Sequence, residues 1–389
     1  MRRIKETTIL ICLFLTGLLG LWGCSSPSSD SIESSENMQI EELLEYESSE
    51  KLKYAEQFTI DYYEEGYALI TTIFDGAKFL IVPEGKEAPE YLTEEIVVLK
   101  QPLDNVYLVA TAVMDMFCEL DALDTIRFSS QKEENWCMEE AREQMQNGKI
   151  VYAGKYSAPD YELIVSEGCS LAIENNMISH SPEVIEKLES FGIPVFIDYS
   201  SYESHPLGRV EWVKVYGLLS GKESEAEKAF EEQCEIMDRV VSGEASDKTV
   251  AFFYIATNGM VNVRSSYDYV PKMIELAGGE YIFAQLGDEE SNRSTVTMQM
   301  EEFYAAAKNA DCLVYNSTID GEIETIEELL EKESLLRDFK AVQEGNVWCT
   351  TKDLYQESMS IGGMIEDFHN MLSGNESLQE NMSYMYRLK

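Results

Sequence analysis

The sequence predicts an α/β protein: two Rossmann-like lobes with mainly parallel sheets, joined by one long helix, with a ligand cleft between the lobes. Three observations predict it. Short apolar runs of strand length alternate with helical stretches, the signature of parallel sheets covered on both faces. That alternation breaks once, at Gly221, where a long amphipathic stretch begins, and then it resumes. The chain has 389 residues, 44% of them hydrophobic, enough for two or three domains with real cores.

The elements follow in order. Met1-Arg2-Arg3-Ile4-Lys5 is basic, and an apolar run extends from Thr8 to Trp22. That run has the length of a signal segment and is short for a membrane-crossing helix. It closes in Leu21-Trp22-Gly23-Cys24, with a Leu three places before a Cys and a Gly directly before it. This resembles a bacterial lipobox. The resemblance implies removal of residues 1–23 and lipidation of Cys24, although Trp22 is bulkier than the pattern prefers. Residues 24–53 are rich in Ser and acids and read as a tether.

Residues 54–220 read as the first lobe. Phe58, Ile60 and Tyr62 alternate, Gly66 breaks the run, and Asp75-Gly76 turns between two further apolar runs, so 58–82 is a hairpin. Strands at 106–110, 125–128, 170–173 and 194–197 then each precede a helical stretch. Residues 221–242 read as the linker helix. Ala226, Ala229, Phe230, Cys234, Met237, Val240 and Val241 form its apolar stripe, and Ser224 with Glu227 offers a capping box. Residues 243–389 read as the second lobe, with strands at 250–255, 313–315 and 347–349 and a last helix from Glu357 to Leu372.

Charge narrows the function. Thirty Lys+Arg stand against 72 Asp+Glu, for −42 at pH 7. Nucleic acid is excluded, because phosphate binding needs a basic face. Passive adhesion to anionic lipid is disfavoured, and copies repel one another, so a monomer is expected. The three histidines, His180, His205 and His369, are too few for a His-built metal pocket. The six cysteines beyond Cys24 have wide, irregular spacing and read as small buried hydrophobes, with pairing of some of them in an exported protein as the alternative. No GxSxG, P-loop or HExxH is present, and no enzyme activity is expected.

Three stretches carry a family resemblance: Tyr152 to Ile164 with Cys169 to Asn175; Val184 to Trp212; and Met273 to Phe283. Together they resemble the iron-siderophore and vitamin B12 substrate-binding proteins of ABC importers, the class with a helical hinge, from about Tyr54 to Leu372. The resemblance implies a lipoprotein on the outer face of the cell membrane. It would capture a ferric siderophore, haem or a corrinoid, hold no cofactor of its own, and deliver to a permease dimer with its ATPase. It also implies two permease-docking carboxylates, Glu162 in Asp160-Tyr161-Glu162-Leu163 and Glu280 in Gly278-Gly279-Glu280. Arginine prefers such planar, two-pronged partners.

The cleft is expected at the loops that follow the strands. Thr111, Met114, Met177, Tyr199 and Tyr202 are its candidates in the first lobe, and Asn258, Arg264, Arg293, Asn316 and Tyr355 in the second. His205, before Pro206, reads as fixing a turn, with axial ligation of a haem or cobalt as the alternative; Arg209 reads as structural, with contact to an anionic ligand as the alternative. An anionic chelate would need Arg264, Arg293 and Lys352 to converge; a neutral or cationic one meets no barrier from the field. The other readings are a surface sensor or adhesin lipoprotein, and a receptor for a bare metal ion.

Overall fold

The computed structural model describes residues 38–243, 246–287 and 293–389; the signal segment and Cys24 lie outside the described residues. Met38 is already part of the fold, donating its N–H to Tyr91 O and accepting from Thr93 N–H. α1 (Ile40–Leu43) and β1 (Tyr46–Ser49) follow. The stretch expected as tether through residue 53 is therefore structured from Met38 onward. Ile40 is the reason: it covers Tyr63, Tyr67, Leu69, Leu80, Val82 and Ile96 on the outer face of the first sheet.

That sheet runs β1, β2 (Phe58–Tyr63), β3 (Ala68–Thr72), β4 (Lys78–Val82) and β5 (Ile96–Lys100). The first four are antiparallel neighbours, as the hairpin reading expects, and β5 joins β4 in parallel. Alternation sorts the faces: Ile70, Phe79 and Ile81 join the main core, while Leu69, Leu80 and Val82 turn to Ile40.

The parallel part begins with β6 (Val106–Leu108), α2 (Thr111–Glu119), β7 (Ile126–Ser129), α3 (Glu139–Gln146) and β8 (Val151–Tyr152). A small hairpin, β9 (Gly154–Lys155) with β10 (Ala158–Pro159), leads to α4 (Tyr161–Ser166), β11 (Ala172–Asn175), α5 (Pro182–Ser190) and β12 (Val195–Asp198). Gly154 has φ +86, and a side chain there would meet the carbonyl oxygen of Ala158. Five parallel strands lie in the order β12-β11-β6-β7-β8. Leu108, Ile173 and Phe196 face the main core; Tyr107 and Ala172 face outward against Ile164, Val184 and Leu188.

α6 (Pro206–Glu211), α7 (Val213–Ser220) and α8 (Glu223–Val241) carry the chain across. α8 is the expected linker, burying Ala226, Ala229, Phe230, Cys234, Met237 and Val240. Val241 is exposed, because the helix ends there. The expected capping box does not form. The helix starts at Glu223 after Lys222, and Glu227 instead pairs with Lys214 at 2.7 Å. Gly217 lets α7 and α8 touch, since a Cβ there would stand 2.5 Å from Ala226 Cβ.

The second lobe comprises β13 (Thr249–Ile255), β14 (Val261–Arg264), α9 (Tyr269–Leu276), β15 (Glu280–Tyr281), β16 (Thr295–Met298), α10 (Met300–Ala307), β17 (Cys312–Tyr315), α11 (Ser317–Asp320), α12 (Ile326–Lys332), α13 (Lys340–Glu344), β18 (Val347–Thr350), α14 (Ile361–Ser373), α15 (Glu376–Gln379) and β19 (Met385–Arg387). β13, β17 and β18 are parallel at the centre, with β15 also on β13; β14 and β19 run against them. One apolar core continues from Phe58 to Leu388 through both lobes. All six described cysteines are unpaired thiols: Cys234, Cys312 and Cys349 are buried, and the other three half-buried.

Candidate functional site

Parallel strands send their following loops to one pole of a sheet. The loop after β7 in the first lobe meets the loops after β17 and β18 in the second. Gln131, Asn135, Trp136 and Cys137 face Thr318, Lys352, Tyr355 and Gln356 around a cavity of about 260 Å³. Trp136 is fixed by its indole N–H, which donates to Ser129 Oγ at 3.2 Å. Gln356 spans the lobes. Its Oε1 accepts Cys137 N–H at 2.9 Å, and its Nε2 donates to Asn135 O at 2.8 Å. Ser358 Oγ–H donates to Ala112 O at 2.6 Å, and Asp115 Oδ2 accepts Met359 N–H at 2.7 Å.

At the far edge of the same pole, after β12, three rings cluster. Phe74 lies 4.9 Å from Tyr199 and 4.8 Å from Tyr202, centroid to centroid. Tyr199 O–H donates to Asp75 Oδ2 at 3.1 Å, which fastens the β3–β4 turn over the end of β12. Phe74 itself is 52% exposed.

The expected cleft residues divide. Thr111 starts α2 at the end of β6, and Met177 is exposed after β11. Tyr199 and Tyr202 come together as described, and Tyr355 lines the cavity, 46% exposed. Asn258 sits exposed in the β13–β14 turn, its Oδ1 accepting Met260 N–H. Four candidates are placed differently from the expectation. Met114, one turn into α2 on the face that packs against the sheet, is fully buried in the main core. Asn316 stands at the end of β17, but it is buried and its Oδ1 caps α11 by accepting Thr318 N–H. Arg264 ends β14, which runs antiparallel to β13, so it sits level with Phe252 and away from the strand ends. There it is buried, 3.6 Å from Asp268 and over the Phe252 ring. Arg293 precedes β16, whose Thr295 pairs with Arg264, so it lies still further toward the amino-terminal pole.

The hinge side is built differently. Arg209 of α6 stacks 4.1 Å over Tyr269 of α9, a bond between the lobes that fits its structural reading. His205 Nδ1 accepts Leu207 N–H at 3.1 Å and the ring stacks on Tyr54. Burial, with Lys272 nearby, lowers the imidazole to about 4, so it is a neutral turn-former. Within the cavity wall, burial and Asp353 push the Cys137 thiol up to about 12.

Glu162 and Glu280 are both exposed. Glu162 lies in the first turn of α4, where Asp160 Oδ1 accepts Leu163 N–H. Glu280 opens β15 at the amino-terminal pole of its sheet, beside a groove lined by Pro271, Lys272, Tyr281 and Ala284. Among the described residues, no three His, Cys, Asp or Glu side chains are placed to hold a metal ion. The sequence reading passed over Phe74 and Trp136. An aromatic at a turn tip was the signal for Phe74. Trp136 lies three residues before the start of α3.

Residues 110–354 match the family model described as periplasmic binding protein. An uncharacterized lipoprotein of Methanocaldococcus jannaschii is 26% identical across 99% of this chain and all of its own length. A periplasmic binding protein from Veillonella parvula superposes with a TM-score of 0.58 at 16% identity, covering 71% of this chain and 93% of its own. The periplasmic heme binding protein HutB of Vibrio cholerae superposes with a TM-score of 0.55 at 15% identity, covering 67% of this chain and 97% of its own.

Proposed function

The chain belongs to the periplasmic binding protein family, and from that premise we propose that it is the extracytoplasmic receptor of an ABC importer, anchored by lipid at Cys24. It captures a metal chelate (a ferric siderophore or haem) or a corrinoid between its lobes and delivers it to the permease dimer. The observation that carries this reading is the cavity at the strand ends where loops of both lobes meet. A heme binder among the structural neighbours and a lipoprotein among the relatives support it. Among the described residues lining the cavity, the basic one is Lys352. With Arg264 and Arg293 toward the other pole, the site favours a neutral or cationic ligand. The boundaries at residues 220 and 243 belong to the same proposal.

A parallel titration tests it, following the visible spectrum of a ferric hydroxamate, haem and cobalamin as protein is added. One of them should bind with its spectrum shifted and be recovered chemically unchanged; no shift with any of the three refutes chelate capture. Glu162→Ala and Glu280→Ala should leave that titration intact and abolish uptake in cells carrying the cognate permease. Loss of a carboxylate buried against arginine in such an interface costs about 2–5 kcal/mol. Weakened capture in either variant would remove that residue from the docking face.

A further inference from the structure

Asp115 sits on α2 at the seam where the second lobe closes on the first. Its Oδ2 accepts Met359 N–H, and one step away Ser358 Oγ–H donates to Ala112 O, so residues 354–360 are stitched onto this helix. Acidic groups face Asp115 from both lobes. They are Glu119 on α2 itself, Glu140 on α3, and Glu357 on the segment from the second lobe. The Cys118 thiol and the Tyr384 hydroxyl are also within its electrostatic reach. Glu357 in turn faces Asp353, whose Oδ1 is buried without a partner. Seating the second lobe therefore drives carboxyl groups of both lobes together in a partly dry seam.

We propose that this seam is a proton-linked latch on the cleft: a neutral Asp115 lets residues 354–360 seat on α2, and ionisation of Asp115 opposite Glu357 pushes the seam apart. As regulation of the cleft it rests on the receptor reading above; the latch itself needs no ligand. Burial holds the Asp115 carboxyl up at about 7, with Glu357, Glu119 and Glu140 adding to it and the Met359 N–H opposing. An opened seam returns the group to water, where a carboxyl titrates near ~4. Between those values the closed form keeps a proton that the open form has released. Closure is thus favoured below the window and weakens as pH rises through it, by at most about tenfold per pH unit for one carboxyl.

Hydrogen exchange of residues 354–360, expressed as protection over the intrinsic rate at each pH, reads the latch on the whole chain without ligand. Protection in the wild type should fall from pH 5 to pH 8. Asp115→Asn cannot ionise but keeps an oxygen for the Met359 N–H, and it should flatten that fall. Glu357→Gln should flatten it in part. Ser358→Ala should lower protection at every pH and leave the slope alone. A flat wild-type profile, or an unchanged slope in Asp115→Asn, overturns the proposal. Either result leaves the chelate titration, and the receptor reading it tests, untouched.

Discussion

The Glu203–Glu211 pair and Glu174, all buried carboxyl groups of the first lobe, meet the cost of burial in opposite ways. Residues 53–57 form a strap between β1 and β2. Glu211 accepts the backbone N–H groups of Lys53, Tyr54 and Ala55 within 2.8–3.1 Å. Glu203 accepts those of Glu56 and Gln57, together with the indole N–H of Trp212. On β11, Glu174 is fully buried and neither of its oxygens has a partner. The difference lies in what the backbone has left to give. An irregular strap has N–H groups that would be orphans without an acceptor, so a charge and its donors satisfy each other. β11 lies between β6 and β12, and its backbone donors are spent on the ladder. Glu174 therefore stays neutral, pushed by burial up to about 8.

Breaking the satisfied site should have the largest effect. Glu211→Ala strands three backbone donors at about 1–3 kcal/mol each, so urea unfolding should show a loss of roughly 3–9 kcal/mol. A loss under about 1 kcal/mol would mean that water replaces the carboxylate. Glu174→Met should act in the opposite direction, gaining about 1–3 kcal/mol near neutral pH by removing an unpaired polar group. The sign with pH follows from the raised folded value. The native state holds a proton that the unfolded chain loses near ~4.5, so wild-type stability should fall as pH rises toward 8, by at most ~1.4 kcal/mol per unit. The Met variant should lack that component; an identical pH profile in both proteins would show Glu174 to be hydrated. The smallest change is expected for Glu203→Gln, which keeps an oxygen for the strap but adds an amide donor without an acceptor. About 1 kcal/mol is expected by denaturant midpoint, and a loss as large as that of Glu211→Ala would show that the charge, rather than acceptance, holds the strap.

The pattern of elements was legible in the sequence because period and length survive without tertiary context. The α8 stripe at Ala226, Phe230, Cys234 and Met237 and the alternation through β3 and β4 are local facts. What failed were matters of direction. A strand-end rule places a loop but not a side chain: Met114 turned inward with its helix, and Asn316 was consumed by a cap. The loop that carries Asn258 was expected at the cleft. It is also a hairpin turn, and that reversal carried Arg264 and Arg293 away from the ligand side. The structured stretch from Met38 was hidden by its acidic, serine-rich composition, since a single buried Ile40 sets its place.

The strap also decides where a mechanical load would go. A pull on the chain upstream of Met38 is met first by the bonds to Tyr91 and Thr93, then by β1 on β2, then by the strap's donors on Glu203 and Glu211. Lys214, bound to Glu50 at 2.8 Å and to Glu227 at 2.7 Å, carries the remainder into α7 and α8. Every station on that path belongs to the first lobe or to the linker helix. A load applied there would swing the molecule bodily and exert little torque between the lobes.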